Sequence, residues 1–277
     1  MITGHTRLIA HLGYPTATFK APMIYNPWFE ARGIDAVVVP MGCKAENYPT
    51  FVRSLFRLSN IHGALVTMPH KITTLGIADR VSVTARIAGS ANALRLVEDG
   101  AIEADMFDGE GFVRGVRAKG VELEGRSALV VGSGGVGSAI AASLAKSGVA
   151  RLNVYDVNEA SARALGQRLR GAYETLAVET GGNDPAGFDL VVNASPLGMK
   201  DGDPLPMDVS RIDPSTFVGE VVMKAEITPF LAAVAERGCR YQIGTDMLFE
   251  QIPAYLEFFG FPRAEVDELR QGAAIRY

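Results

Sequence analysis

Apolar residues in this chain gather into short aliphatic runs, separated by stretches in which they recur at helical spacing. Residues 8–12, 36–41 and 63–67 are such runs and read as strands, while residues 21–32 and 45–58 between them read as helices. Strand and helix in alternation predict a parallel sheet covered on both faces. Residues 72–78 and 81–88 read as further helices, 93–98 and 101–104 as short strands, and 109–119 as a helix leading into the second half. There the alternation resumes, with strands at 128–131, 151–156, near 175, and at 188–194, 217–222 and 239–243. Helices at 138–147, 160–169 and 229–237 lie among them, and helices at 247–258 and 262–272 close the chain. The pattern is that of an α/β protein, without internal repeat or low-complexity linker.

One junction says more than the pattern does. Strand 128–131 runs into Gly132-Ser-Gly-Gly-Val-Gly137, a G-x-G-x-x-G turn that opens a helix, and a second strand ends on Asp156. Such a βαβ unit can seat a pyrophosphate. Gly132 allows the tight turn, Gly134 lets backbone N–H groups approach the phosphates, and Gly137 lets helix and strand pack closely. Ser133, Gly135 and Val136 complete the turn, and the helix N-terminus adds partial positive charge and unpaired donors. A glycine-rich turn by itself is weak evidence; strand, helix, second strand and terminal acid in register point to a dinucleotide site. Asp156 selects the dinucleotide, since a carboxylate accepts hydrogen bonds from both ribose hydroxyls of NAD and repels the 2′-phosphate of NADP. Val157 and Asn158 offer no arginine for a phosphate, and Arg163 and Arg168 read as the solvated face of the next helix. NAD is the expected cofactor, preferred over NADP.

At 277 residues the chain has material for one large or two ordinary domains. Apolar content of 48 % with 21 % charged residues excludes a disordered chain. A net charge of −4 without a basic run argues against nucleic acid or an anionic membrane as partner, and no apolar stretch reaches the length of a membrane span. The early run at 8–12 reads as a first strand rather than a signal peptide. Cys43 and Cys239 form no C-x-x-C pair, and His5, His11, His62 and His70 show no ligand spacing, so neither a disulfide framework nor a metal is expected. A reducing cytoplasmic setting is the default.

Six short segments, in order, resemble the shikimate/quinate dehydrogenase family and together span nearly the whole chain. Leu65-Val-Thr-Met-Pro-His-Lys71 resembles that family's N-V-T-x-P-x-K signature, Ala88-Gly-Ser-Ala-Asn92 its G-A-V-N element, and Asp105-Met-Phe-Asp-Gly109 its N-T-D-G element. Asn193-Ala-Ser-Pro-Leu-Gly-Met199 resembles the N-A-T-S-x-G-M loop beside the cofactor, and Thr228-Pro-Phe-Leu231 and Met247-Leu-Phe-Glu-Gln251 match two further elements. The resemblance implies two domains. Residues 1–106 and 245–277 would form an α/β substrate domain, and residues 107–244 a Rossmann-type, doubly wound parallel sheet that binds NAD(P). It implies Lys71 and Asp108 as the catalytic pair, and Thr67, Asn92 and Gln251 as ligands of substrate hydroxyls. Asn193, Ala194, Ser195, Met199 and Gly244 would lie beside the cofactor.

On this resemblance, Lys71 and Asp108 hold the proton that leaves a hydroxyl as hydride passes to the nicotinamide, and Lys71 returns it to the alkoxide on reduction. Taken singly, each residue is ordinary: a solvated lysine, an N-cap aspartate, a turn-capping Asn92, an exposed helical Gln251. His70 reads as packing or solvent-facing, and Trp28 as core.

The departures from the family bear on the substrate. Its G-x-P-I-x-H-S-x-S-P element, whose serines hydrogen-bond the substrate carboxylate, appears as Gly13-Tyr-Pro-Thr-Ala-Thr-Phe-Lys-Ala-Pro22, with Phe19 and Ala21 at the serine positions. Its D-x-x-Y-x-P element appears as Glu220-Val-Val-Met-Lys-Ala225, with Met223 in place of the substrate-contacting tyrosine. At roughly 1.5–3 kcal/mol per hydrogen bond to a charged group, losing two weakens carboxylate binding by about 10²–10⁴-fold. Either Thr16, Thr18 or Lys20 catches a carboxylate instead, or the natural substrate differs from shikimate there. The second is favoured. The expectation is a cytoplasmic oxidoreductase using NAD on a ring hydroxyl or ketone of a shikimate- or quinate-like polyol, in a family tied to aromatic amino acid biosynthesis. Its partner is that small molecule, not nucleic acid or membrane, and a homodimer is one assembly left open. A rival of another class is a catalytically silent binder that senses a ligand or the NAD state with the same fold. A third is another two-domain dehydrogenase, acting on a folate or an amino acid.

Overall fold

The first aliphatic run forms strand β1 (Arg7–Gly13), paired in parallel with β2 (Ala36–Gly42) on one side and β3 (Ile61–Val66) on the other. Helices α1 (Pro22–Ala31) and α2 (Tyr48–Leu55) make the connections, with Trp28 buried in the core. The structure, a computed structural model, describes residues 2–275 and divides into two compact units. One is the chain up to Phe107 together with the chain from Ile252 on; the other is Asp108–Gln251.

In the first unit the sheet stops being parallel after β3. Strand β5 (Ala93–Leu96) runs antiparallel to both its neighbours, β3 and β6 (Ile102–Asp105), and β4 (Arg80–Val81) lies parallel beside β6. The order is β2-β1-β3-β5-β6-β4, which corrects the expected all-parallel sheet. The cause is the connection between β5 and β6. Val97 N donates to Ala101 O at 3.0 Å across a turn containing Asp99 and Gly100, with Gly100 at φ +83°. A loop that short joins only antiparallel strands; a parallel pair needs a crossover.

Smaller differences have local causes. Residues 72–78 make only a 3-10 turn at Thr73–Gly76, because two β-branched threonines and a glycine are poor helix formers. Helix α2 begins after Asn47, since Pro49 is tolerated only in a first turn. Helix α3 (Val83–Ala88) is capped by Ser82, whose hydroxyl accepts from Ala85 N at 3.1 Å. The last helix, α9 (Val266–Gly272), starts four residues beyond Pro262.

The second unit is parallel throughout. Strands β7 (Ser127–Val131), β8 (Arg151–Tyr155), β9 (Ala177–Thr180), β10 (Leu190–Asn193), β11 (Phe217–Glu220) and β12 (Tyr241–Gln242) lie in the order β12-β11-β10-β7-β8-β9. Helices α4 (Asp108–Ala118), α5 (Gly135–Lys146), α6 (Glu159–Ala172) and α7 (Pro229–Glu236) belong to this unit. Helix α8 (Gly244–Phe258) begins in it and ends in the first unit. Leu129, Val191 and Val218 of the central strands pack with Phe230, Leu231 and Val234 of α7. Such near-continuous apolar strands mark a sheet covered on both faces. Strand order reverses between β7 and β10, and open α/β sheets bind ligands at that reversal, beyond the strands' carboxyl ends.

Candidate active site

At the end of β7 the chain turns through Gly132, at φ +108°, and enters α5. A Cβ on Gly137 would overlap Gly132 O, so the helix comes this close to the turn only with glycine there. The N-cap of α5 is Gly134, which has no side chain, and a Cβ there would meet nothing within 4 Å. An anion therefore finds space beside Gly134 and the favourable end of a helix dipole. Gly135 and Val136 form the first turn of α5, half-buried. Ser133 is buried, and its N and Oγ donate to Asp156 Oδ2 at 2.6 and 2.9 Å. Asn158 N donates to Asp156 Oδ1 at 2.8 Å. The acid just beyond β8 is thus tied to the glycine turn. Three of a carboxylate's roughly four acceptor positions are engaged, one by a rotatable hydroxyl that a ribose hydroxyl can replace. These residues fit a dinucleotide.

A second loop lies against the first. Ala194 N donates to Val131 O at 2.8 Å, and a Cβ on Gly132 would lie 2.6 Å from Ala194 O. Asn193 is fully buried and organises the loop. Its Nδ2 donates to Leu197 O at 3.0 Å and to Glu220 Oε1 at 2.7 Å, while its Oδ1 accepts from Ser195 N and Oγ at 3.1 and 2.7 Å. Met199 at the loop's far end is exposed. Met223 and Gly244 meet past the end of β11, where a Cβ on Gly244 would lie 2.9 Å from Met223 Cγ.

Glu220 is fully buried and joins three separated segments: Asn193, its own strand, and Thr228, whose hydroxyl donates to Oε2 and accepts from Leu231 N to cap α7. Burial pushes its carboxyl above the ordinary 4.5, against smaller lowering by Thr228 and Asn193. A raised pKa means that the folded state holds the proton more tightly. Its stabilising effect is full below the unfolded value and is lost as pH rises through the folded one. Glu220→Gln is therefore expected to gain stability relative to the natural protein between about pH 4 and about pH 7, read from urea midpoints. A constant difference across that range would refute it.

In the first unit, β3 leads into the turn that carries Lys71. Thr67 N donates to Leu12 O at 2.8 Å, and His70 N closes the turn on Thr67 O at 3.0 Å. His70 is a packing residue, with its ring stacked on Tyr48 at 3.9 Å and its Nε2 2.7 Å from Cys43 O. Lys71 is half-buried, and its carbonyl accepts from Ala91 N at 2.9 Å, fastening it to the segment that ends in Asn92. Asn92 is fully buried; its Oδ1 accepts from Phe107 N at 2.9 Å. One side of that amide therefore positions the chain entering Asp108 instead of a substrate. Phe19 is half-buried and stacks on His11 at 4.0 Å, while Ala21 is buried just before α1. A Cβ on Gly13 would lie 2.8 Å from Phe19 Cζ and overlap Thr67 Cγ2, so Phe19 and Thr67 meet over this glycine.

In the second unit Asp108 is the first residue of α4 and is buried. Gln251 on α8 is buried rather than exposed, and its Oε1 has no hydrogen-bond partner among the described residues. The first unit thus gathers Phe19, Thr67 and Lys71, and the second gathers the glycine turn, Asp156 and the Asn193 loop. His11 was not singled out in the sequence; its one signal is a lone histidine inside an aliphatic strand. Cys43 and Cys239 are buried free thiols. Among the described residues no cluster could hold a metal, and no helix is long and apolar enough to cross a membrane.

Residues 12–94 match the family model described as shikimate dehydrogenase substrate binding domain. A Rubrobacter xylanophilus protein named shikimate dehydrogenase (NADP(+)) is 35 % identical over 256 residues, 90 % of this chain and 89 % of the relative. One of the same name from Acidiphilium cryptum is 34 % identical over 275 residues, 99 % of this chain and 98 % of the relative. Among solved structures, quinate dehydrogenase from Corynebacterium glutamicum in complex with NAD superposes with a TM-score of 0.87 at 28 % identity, covering 96 % of this chain and 98 % of that one.

Proposed function

The chain belongs to the shikimate dehydrogenase family, and from that premise we propose that it is an NAD(P)-dependent oxidoreductase acting on a ring hydroxyl or ketone of a shikimate- or quinate-like polyol. The observation that carries this is the glycine turn locked to Asp156 through Ser133, in a chain that also has the family's lysine turn. When bound, the nicotinamide supplies or accepts the hydride. The second unit holds the dinucleotide, and the first unit holds the substrate.

Lys71 gives a proton to the forming alkoxide on reduction and receives it on oxidation, with Asp108 as its acidic counterpart. Thr67, Asn92 and Gln251 orient the substrate's hydroxyls, Gln251 through an amide oxygen that has no partner among the described residues. Retention of Lys71 and Asp108 favours an enzyme over a silent sensor, since binding needs no such pair.

NAD is the preferred cofactor. Asp156 supports this, although the Rubrobacter and Acidiphilium relatives carry NADP(+) in their names. The substrate differs from shikimate at the carboxylate end, where Phe19 and Ala21 bring no hydroxyl.

The test is to supply the purified protein with shikimate or quinate and with NAD or NADP in parallel, following nicotinamide absorbance. Turnover with NAD is the expected result, weak on these acids. Equal or better turnover with NADP would remove the cofactor preference. Silence in all four mixtures, from a protein that binds NAD, would exclude both acids and move the search to uncharged polyols.

A further inference from the structure

We propose that His11 is a specificity-determining residue: its ring, packed on Phe19 beside Thr67 and Lys71, hydrogen-bonds an uncharged hydroxyl or carbonyl at one end of the substrate. This rests on the proposal that the first unit holds the substrate. Side chains alternate along a strand, so His11 and Gly13 share a face of β1. In the parallel register His11 pairs with Leu65, and Thr67 follows two residues on. Phe19 returns over that face, its ring stacked on His11 at 4.0 Å with 27° between the planes.

The ring is nine-tenths buried, and its Nδ1 has no hydrogen-bond partner among the described residues. Its neighbours in sequence are Leu8-Ile-Ala and Leu12, and an aliphatic residue would fill the place without a stranded polar atom. The protein leaves this buried Nδ1 unsatisfied among the described residues, a cost that a ligand hydroxyl or carbonyl reaching the ring would relieve. The charge state narrows the ligand's chemistry. Burial first, and the Lys71 cation second, push His11 from the usual 6.5 down to about 3, so the ring is neutral near pH 7. A neutral imidazole carries one donor and one acceptor, suited to a hydroxyl or carbonyl, and brings no countercharge for a carboxylate. Phe19, in direct contact, supplies an apolar wall and no donor. This end of the site therefore selects polyols or hydroxyketones that are uncharged there.

The experiment uses the intact protein labelled with ¹⁵N-histidine and loaded with NAD. It is titrated with shikimate and, separately, with its uncharged methyl ester. His11→Phe serves to assign the ring signals, and turnover of both compounds is measured with NAD and NADP. The ester is expected to shift the His11 ring nitrogens without protonating them, and to have kcat/KM about tenfold or more above that of the acid. In His11→Phe that preference should collapse toward unity. Ring signals unmoved by either compound would overturn the proposal, as would protonation of His11 by bound shikimate. The two proposals fail separately. Turnover with a silent His11 removes only the histidine's role, and a shifted His11 without turnover removes only the hydride chemistry. If neither compound shifts the ring or turns over, both proposals are overturned. The wild-type spectra keep the test decisive even if His11→Phe does not fold.

Discussion

Replacing Lys71 with alanine is expected to lower kcat by about 10³-fold or more while leaving NAD affinity within about twofold. The expectation rests on the backbone bonds that hold this turn. Lys71 O accepts from Ala91 N at 2.9 Å, and the preceding turn is closed by His70 N on Thr67 O. Alanine keeps both bonds. The dinucleotide turn is held by Ser133, Asp156, Ala194 and Val131, all in the other unit. On the proposed mechanism, what disappears is the group that gives the alkoxide its proton. A general acid or base at a reacting oxygen contributes about 10²–10⁴-fold, and no other lysine lies in the turn that carries Lys71. Steady-state rates, with an NADH fluorescence titration beside them, make the measurement. A silent sensor has no rate to lose, and would show unchanged ligand affinity against an undetectable background in both proteins. A fall of less than about tenfold would remove Lys71 from the proton's path.

The parts of this protein that were legible in the sequence are those whose requirements are local. Gly132 and Gly137 are needed by a turn and a helix within a few residues of each other, so spacing gives them away. The second unit's strands were legible because a sheet buried on both faces demands uninterrupted apolar runs. The antiparallel β5–β6 pair was overlooked although its turn, Asp99-Gly100, is a hairpin signal; alternation with helices outweighed it. The site's finer connections were not legible at all. Glu220 joins Asn193 to Thr228 across segments far apart in the chain, and Asp156 meets Ser133 only once two strands lie side by side. His11 belongs to the same class. Periodicity places it in a strand, but only the fold shows Phe19 against it and leaves its Nδ1 without a partner among the described residues.

The second large effect concerns the cofactor, where Asp156 does two things at once. On the proposed preference for NAD its charge opposes a 2′-phosphate; as an acceptor it holds Ser133 N and Oγ and so shapes the glycine turn. A substitution that removes both functions would confuse them. Asp156→Asn separates them, because an amide oxygen at the Oδ2 position can still accept from Ser133 N and Oγ while the side chain carries no charge and gives up only the bond from Asn158 N. It is expected to lower kcat/KM for NAD by about tenfold and to raise that for NADP, since the like-charge penalty, several kcal/mol in a desolvated contact, is gone. Adding Val157→Arg should complete the reversal. Val157 is 90 % exposed directly after Asp156, so an arginine there meets no steric obstacle and brings a guanidinium that can pair with a phosphate. Across the natural protein, the single variant and the double variant, the NAD to NADP ratio of kcat/KM should swing by about 10³-fold or more. The ratio in the natural protein comes first. If it already favours NADP, as the names of the Rubrobacter and Acidiphilium relatives suggest for those enzymes, then the Asp156 carboxylate serves the turn and not the ribose. In that case Asp156→Asn would leave the ratio unmoved while thermal stability still reports on the Ser133 bonds.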